Sequence, residues 1–169
     1  VIVQESFATT ATCAYADLLL PATTRGEKEG TVTNSERCIT RVRAAVNAPG
    51  EARHDWSIAA EFARRLELLL PIKSPSTLFD YPTPESVWLE HRESTRGRDI
   101  DITGMSYSAL EKSPLQWPLR EGDVAGKTRL YEDHVFQTAN GKAQFVNTVY
   151  KPVAEARDAR YPFSLNTGR

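Results

Sequence analysis

The stretch Asp55–Leu70 constrains the fold most. Trp56, Ala59, Ala63, Leu66 and Leu70 recur at three- and four-residue steps, and Ile58, Phe62 and Leu69 widen the stripe. Glu61, Arg64, Arg65 and Glu67 supply the polar side. The spacing predicts a helix packed deeply along one broad face, with Trp56, Phe62 and Leu66 in the core. Asp55 stands where a carboxylate accepts from the free amides of a first turn, which makes it an N-cap candidate. Pro71 ends the pattern. A helix of this kind has to lay its stripe on a second layer, and two short runs upstream suit that role. Val1–Val3 is continuous and β-branched, as in a strand buried on both faces of a parallel sheet. Asp17–Pro21, "DLLLP", reads as a second short buried strand closed by proline.

The polar stretch Gly26–Arg41, "GEKEGTVTNSERCITR", follows, and Cys38–Val46 after it has the β-branched content of another strand. Beyond a proline-rich connection, Pro84–Thr95 and Ser106–Lys112 read as helices, the second stopped by Pro114. The thin scatter of apolar residues here predicts irregular structure wrapped around a larger body. Val135–Phe136 and Ala143–Val149 flank Asn140-Gly141, a two-residue hairpin signal. "YPFSLNTGR" begins a further strand. The whole reads as α/β with a β-rich tail and no internal repeat. Both ends resemble strands already under way, which points to a segment of a longer polypeptide.

The balance of charge narrows the function classes. With 21 basic and 22 acidic residues in 169, net charge is -1, which offers no electrostatic case for nucleic acid or an anionic membrane. No apolar run approaches the ~20 residues of a membrane-spanning helix. Cys13 and Cys38 stand far apart, and His54, His91 and His134 are scattered, so no ligand spacing for a metal emerges. There is no nucleophile elbow, P-loop or H-E-x-x-H run. No catalytic residue and no metal ligand are assigned.

A resemblance runs through the chain in order. "ADLLLPATTRGEKEGTVTNSERCITRVRAAVNAPGEARHDW" (Ala16–Trp56) contains an A-D-x-x-L-P strand, an E-K-E-G-T-x-x-N-x-E-R loop, and P-G-E-A-R-x-D-W opening a helix. This set resembles the molybdenum oxidoreductases that bind two molybdopterin guanine dinucleotides. "GRDIDITGMSYSALEKSPLQWP" and "NGKAQFVNTVYKPV" resemble the connector of assimilatory nitrate reductases and related formate dehydrogenases, and the last nine residues resemble the family's Y-P-F-x-L-x-T-G-R. The resemblance implies that residues 1–75 are the C-terminal half of a Rossmann-like α/β dinucleotide-binding domain. Residues 76–155 would be a connector with short helices and a β-hairpin, and 156–169 the start of a β-barrel domain.

The implied activity is two-electron reduction of nitrate to nitrite in the cytoplasm. It uses molybdenum bis(molybdopterin guanine dinucleotide), an iron–sulfur cluster held upstream of this chain, and an electron-donor protein or domain. The segment alone would then be inactive. A formate dehydrogenase of the same family, and a free-standing nucleotide-binding or assembly module, are the alternatives.

The resemblance also assigns site residues. Lys28 matches the cofactor-contacting lysine of E-K-E-G; otherwise it is an exposed lysine between two glutamates. Asp55, 27 residues on, matches a carboxylate that can accept two hydrogen bonds from guanine; otherwise it is the helix cap. Glu5 and Ser6 fall at the strand end where relatives meet the nucleotide. Thr167, Gly168 and Arg169 form the T-G-R, with glycine permitting close approach and arginine a forked grip on phosphate or a pterin carbonyl. Glu29, Asn34, Glu36 and Arg37 are expected to shape the loop, with Asn34 bracing its backbone and Glu36 pairing with Arg37.

Overall fold

A computed structural model describes residues 1–71 and 76–165. It opens on β1 (Ile2–Glu5) and β2 (Leu18–Pro21), which pair in parallel with Ile2 opposite Leu18 and Glu5 opposite Pro21. A single 3-10 turn, Ala11–Tyr15, lies in the crossover. The chain then returns to the same edge. Ala22 bridges in parallel to Arg53; the Arg53 amide donates to the Pro21 carbonyl, and the Thr23 amide to the Arg53 carbonyl, each at 3.0 Å. Two residues later α1 (Asp55–Leu69) begins. Three parallel segments thus end side by side at Glu5, Thr23 and His54.

This layer is less buried than its sequence predicts. Of the opening run only Val3 is buried, and Ile2 is 65% exposed. In α1 the buried residues are Ile58 and Ala60, Trp56 is half-buried, and Phe62 and Leu66 are exposed at 61% and 42%. The reason is size. A helix of 15 residues is about 22 Å long, whereas two paired strands present a surface only ~10 Å wide.

The stretch read as a polar loop is in part a hairpin. β3 (Gly30–Thr33) pairs antiparallel with β4 (Cys38–Val42), Gly30 opposite Val42 and Thr33 opposite Ile39. Asn34 Oδ1 accepts from the Glu36 and Cys38 amides at 3.0 and 2.9 Å, bracing the turn as expected. Arg37 does not pair with Glu36. Its backbone takes a left-handed φ of 67°, and its guanidinium donates to the carbonyls of Trp117, Lys127 and Thr128. Three distant carbonyls satisfy more of its donors than one exposed carboxylate can.

Those carbonyls belong to the stretch expected as a connector, which holds the main core instead of wrapping one. α2 (Pro84–Ser94) is capped by Thr83, whose hydroxyl accepts from the Ser86 amide at 3.2 Å. α3 (Tyr107–Leu110) is capped by Ser106, and β5 (Leu115–Gln116) extends the hairpin sheet beside β4. Ile39 of β4, Trp88 of α2, and Ile102, Met105, Tyr107, Leu110 and Leu119 form one buried cluster, with Met105 fully enclosed. Gly126 lets the chain pass against β5: a Cβ there would overlap the Gln116 carbonyl. Asp101 ties the connector together, accepting from the Gly97 and Thr103 amides and the Thr103 hydroxyl.

A second unit begins at Tyr131. The rings of Tyr131 and Phe136 stack with centroids 4.7 Å apart. The hairpin expected around Asn140-Gly141 is only a turn, in which the Gly141 amide donates to Thr138 and the Phe136 amide to Gly141. Phe145, Val146 and Val149 are 97%, 81% and 78% exposed. A lone hairpin with no surface to cover its apolar side is marginal in water. Tyr161–Leu165 carries no strand.

Candidate functional site

Parallel strands leave their loops at the carboxyl ends, where ligands of α/β sheets collect. At that edge lies a cleft of about 540 Å³. Glu5, Ser6 and Phe7 line it from the loop after β1, Thr23 and Arg25 from the loop after β2, and Lys28 from the approach to β3. The local folding follows from the sequence. Pro21 closes β2, and Glu27 reaches back to accept from the Thr24 amide at 2.8 Å, which curls Arg25–Glu27 into a 3-10 turn. That turn delivers Lys28 to the rim.

Lys28 and Asp55 meet there, with Lys28 Nζ 2.6 Å from Asp55 Oδ2. The 27-residue separation that both assignments rest on is closed in space. Asp55 is not the N-cap. His54 precedes the helix without a side-chain capping bond, and Asp55 is the first helical residue. Its carboxylate is drawn outward by Lys28 and by Gln4 of β1, whose Nε2 donates to Oδ1 at 2.7 Å. The Lys28 bond holds the Asp55 carboxyl below its ordinary range; burial opposes this, and the Gln4 bond adds to it.

Glu5 and Ser6 also reach the cleft. The Glu5 carboxylate turns back on its own loop, accepting from the Ser6 amide at 2.7 Å and the Phe7 amide at 3.4 Å. Glu29 is bound away, 3.4 Å from Arg41. Lys28, Glu5 and Ser6 therefore share one cavity, and Asp55 joins it through Lys28. Thr167, Gly168 and Arg169 lie outside the described residues. Among the described residues no three His, Cys, Asp or Glu are placed to hold a metal ion, and no helix is long and apolar enough to cross a membrane.

Sequence reasoning missed three participants: Gln4, Thr23 and Arg25. Their signal was positional. Each sits within four residues of the carboxyl end of a short strand, Thr23 and Arg25 lining the cleft and Gln4 reaching it through Asp55.

The arrangement defines a class: an α/β unit whose strand-end loops bring a cation and a carboxylate together at the rim of one cleft. Residues 1–65 match the molybdopterin oxidoreductase family. A nitrate reductase of Synechocystis sp. is 42% identical over 98% of this chain, and an assimilatory nitrate reductase of Haloferax mediterranei 37% over 99%. An F420-dependent formate dehydrogenase alpha subunit of Methanocaldococcus jannaschii is 36% identical over 99%. The chain belongs to the molybdopterin oxidoreductase family. It spans 23% of the length of each of these three relatives.

Proposed function

We propose that this chain forms part of the wall that holds a molybdopterin guanine dinucleotide in an enzyme reducing nitrate to nitrite. The observation that carries this is the meeting of Lys28 and Asp55 at the carboxyl edge of the parallel strands. Their side chains fit the two kinds of group such a ligand presents. A lysine ammonium, with three donors, suits phosphate or carbonyl oxygens. An aspartate suits the paired N–H donors of guanine.

Magnitudes permit the exchange. The Lys28–Asp55 pair is partly exposed, with side-chain accessibilities of 32% and 51%, and pairs of that kind stabilise by about 0–1 kcal/mol. A hydrogen bond to a charged group contributes roughly 1.5–3 kcal/mol. Opening so exposed a pair costs little, so a ligand that offers each partner a charge-assisted hydrogen bond can take its place.

When bound, the molybdenum cofactor supplies the oxygen-atom transfer that takes nitrate to nitrite and water with two electrons and two protons. This chain's residues bind and orient. Lys28 neutralises acceptor oxygens, Asp55 reads the guanine edge, and Gln4 fixes the carboxylate's direction. We place residues 1–75 in the dinucleotide-binding domain, 76–155 in its connector, and 156–169 at the entry of a barrel domain, where Thr167, Gly168 and Arg169 add contacts. Glu5 and Ser6 contribute through the loop after β1. The iron–sulfur cluster and the electron donor belong to other parts of the enzyme, the segment alone is inactive, and the assimilatory names among the relatives support a cytoplasmic location.

Nitrate is preferred as substrate because the nitrate reductases above are the more similar relatives. Formate is the second reading, favoured by the 36% identity to a formate dehydrogenase. Assaying the enzyme that carries this segment with each substrate separates the two. The wall itself is tested by Lys28→Ala and Asp55→Ala in that enzyme. Each is expected to lower molybdenum and guanine per polypeptide several-fold; full occupancy in both variants refutes the assignment.

A further inference from the structure

The cleft leaves two polar groups unanswered. The Thr23 side chain borders it, is only 1% exposed, and its hydroxyl has no hydrogen-bond partner in the protein. A buried hydroxyl without a partner is a standing cost to the fold. The second group is Arg25. Among the charged residues lining the cleft, Glu5 is held by its loop amides, Lys28 by Asp55 and Glu29 by Arg41. Arg25, exposed on the same wall, has no ion-pair partner among the described residues.

Chemistry limits what can satisfy both. A guanidinium only donates, and a hydroxyl donates most strongly to an anionic oxygen. The Thr23 backbone is held by the bond from its amide to the Arg53 carbonyl, so the root of its side chain is set by the sheet while χ1 stays free to turn.

We propose that Thr23 is a further ligand-binding residue of this cleft, its hydroxyl donating to a phosphate oxygen of the bound dinucleotide while Arg25 neutralises the same phosphate. The inference rests on the dinucleotide reading above. Ligand binding turns the side chain about χ1, so that the hydroxyl leaves its unpartnered position and meets the phosphate.

The test uses opposite signs in two states of the enzyme that carries this segment. Thr23→Val keeps the shape and removes the hydroxyl. In apoprotein made without the cofactor, it should melt at the same temperature as the parent or higher, because an unsatisfied group is gone. In enzyme made with the cofactor, it should retain guanine about tenfold more weakly, the factor that corresponds to ~1.4 kcal/mol. Thr23→Ser should restore retention. Arg25→Gln should weaken retention and flatten its dependence on salt.

A Thr23→Val apoprotein that melts lower, with guanine falling only in proportion, overturns the proposal in favour of a structural hydroxyl. Unchanged guanine retention in Thr23→Val overturns it as well, and so does loss confined to free inorganic phosphate. A parallel Lys28→Ala enzyme separates the two levels. If Lys28→Ala loses guanine and Thr23→Val does not, only this inference fails. If neither loses it, the dinucleotide reading fails and takes the inference with it.

Discussion

Carboxylates fixed by donors are expected to make this chain less stable in acid. Asp101 is 4% exposed; burial pushes its carboxyl up, but the Thr103 hydroxyl and amide and the Gly97 amide outweigh that and hold it below the ordinary 3.8. A depressed folded pKa contributes stability that is present above the unfolded value and lost as pH falls through the folded one. Asp101→Asn keeps one acceptor oxygen and loses the charge, so it should cost about 2 kcal/mol at neutral pH. In denaturation series at successive pH values the gap to the parent should shrink below 3.8; a constant gap would contradict the charge argument. Asp55 follows the same sign, so the Lys28 contact should dissolve over a similar acid range. At this scale the sequence was readable where one side chain serves its own neighbourhood, as Asn34 does. It was not readable for Arg37, whose partners lie 80 to 91 residues away, nor for Thr23, whose lack of a partner is a property of packing alone.

Elements with a chemical start signal formed where the sequence placed them. α2 follows Thr83 with Pro84 at its first position, and α3 follows Ser106. Thr83→Ala should therefore cost about 1 kcal/mol, read as a lower denaturant midpoint with an unchanged slope; no shift would mean that the cap is idle. β1 and β2, each four residues long, were legible from the short apolar runs in Val1–Val3 and Asp17–Pro21. The hairpin at Asn140-Gly141 was not realised, because turn residues specify a reversal but strands need a covered face. β3 was hidden for the opposite reason: Thr31, Val32 and Thr33 sit among charges, and their strand exists because β4 and β5 complete a sheet over the connector core.

Across the whole molecule, the strongest periodic pattern did not mark the main core. That core is Met105 and its neighbours, assembled from short segments of the connector around Ile39. Periodicity reports which face of an element is apolar, not how much surface is present to cover it. Met105→Ala should cost about 2–5 kcal/mol, whereas Phe62→Ala, at an exposed position, should change this chain's stability by less than ~0.5 kcal/mol. Thermal melts of the two variants check the contrast, and equal losses would relocate the core to α1. Lys28 and Asp55 were singled out by their places in the E-K-E-G and P-G-E-A-R-x-D-W motifs, since composition alone reads them as an exposed lysine and a helix cap. Their contact and the cleft they share required the fold.

A structure of the enzyme carrying this segment, with its cofactor bound, decides whether Lys28 and Asp55 exchange each other for a dinucleotide. Lys28 Nζ is expected within about 3 Å of a ligand oxygen or nitrogen, with Asp55 turned to the guanine edge. A bound dinucleotide seated elsewhere, with the Lys28–Asp55 contact still closed at the cleft rim, would contradict it.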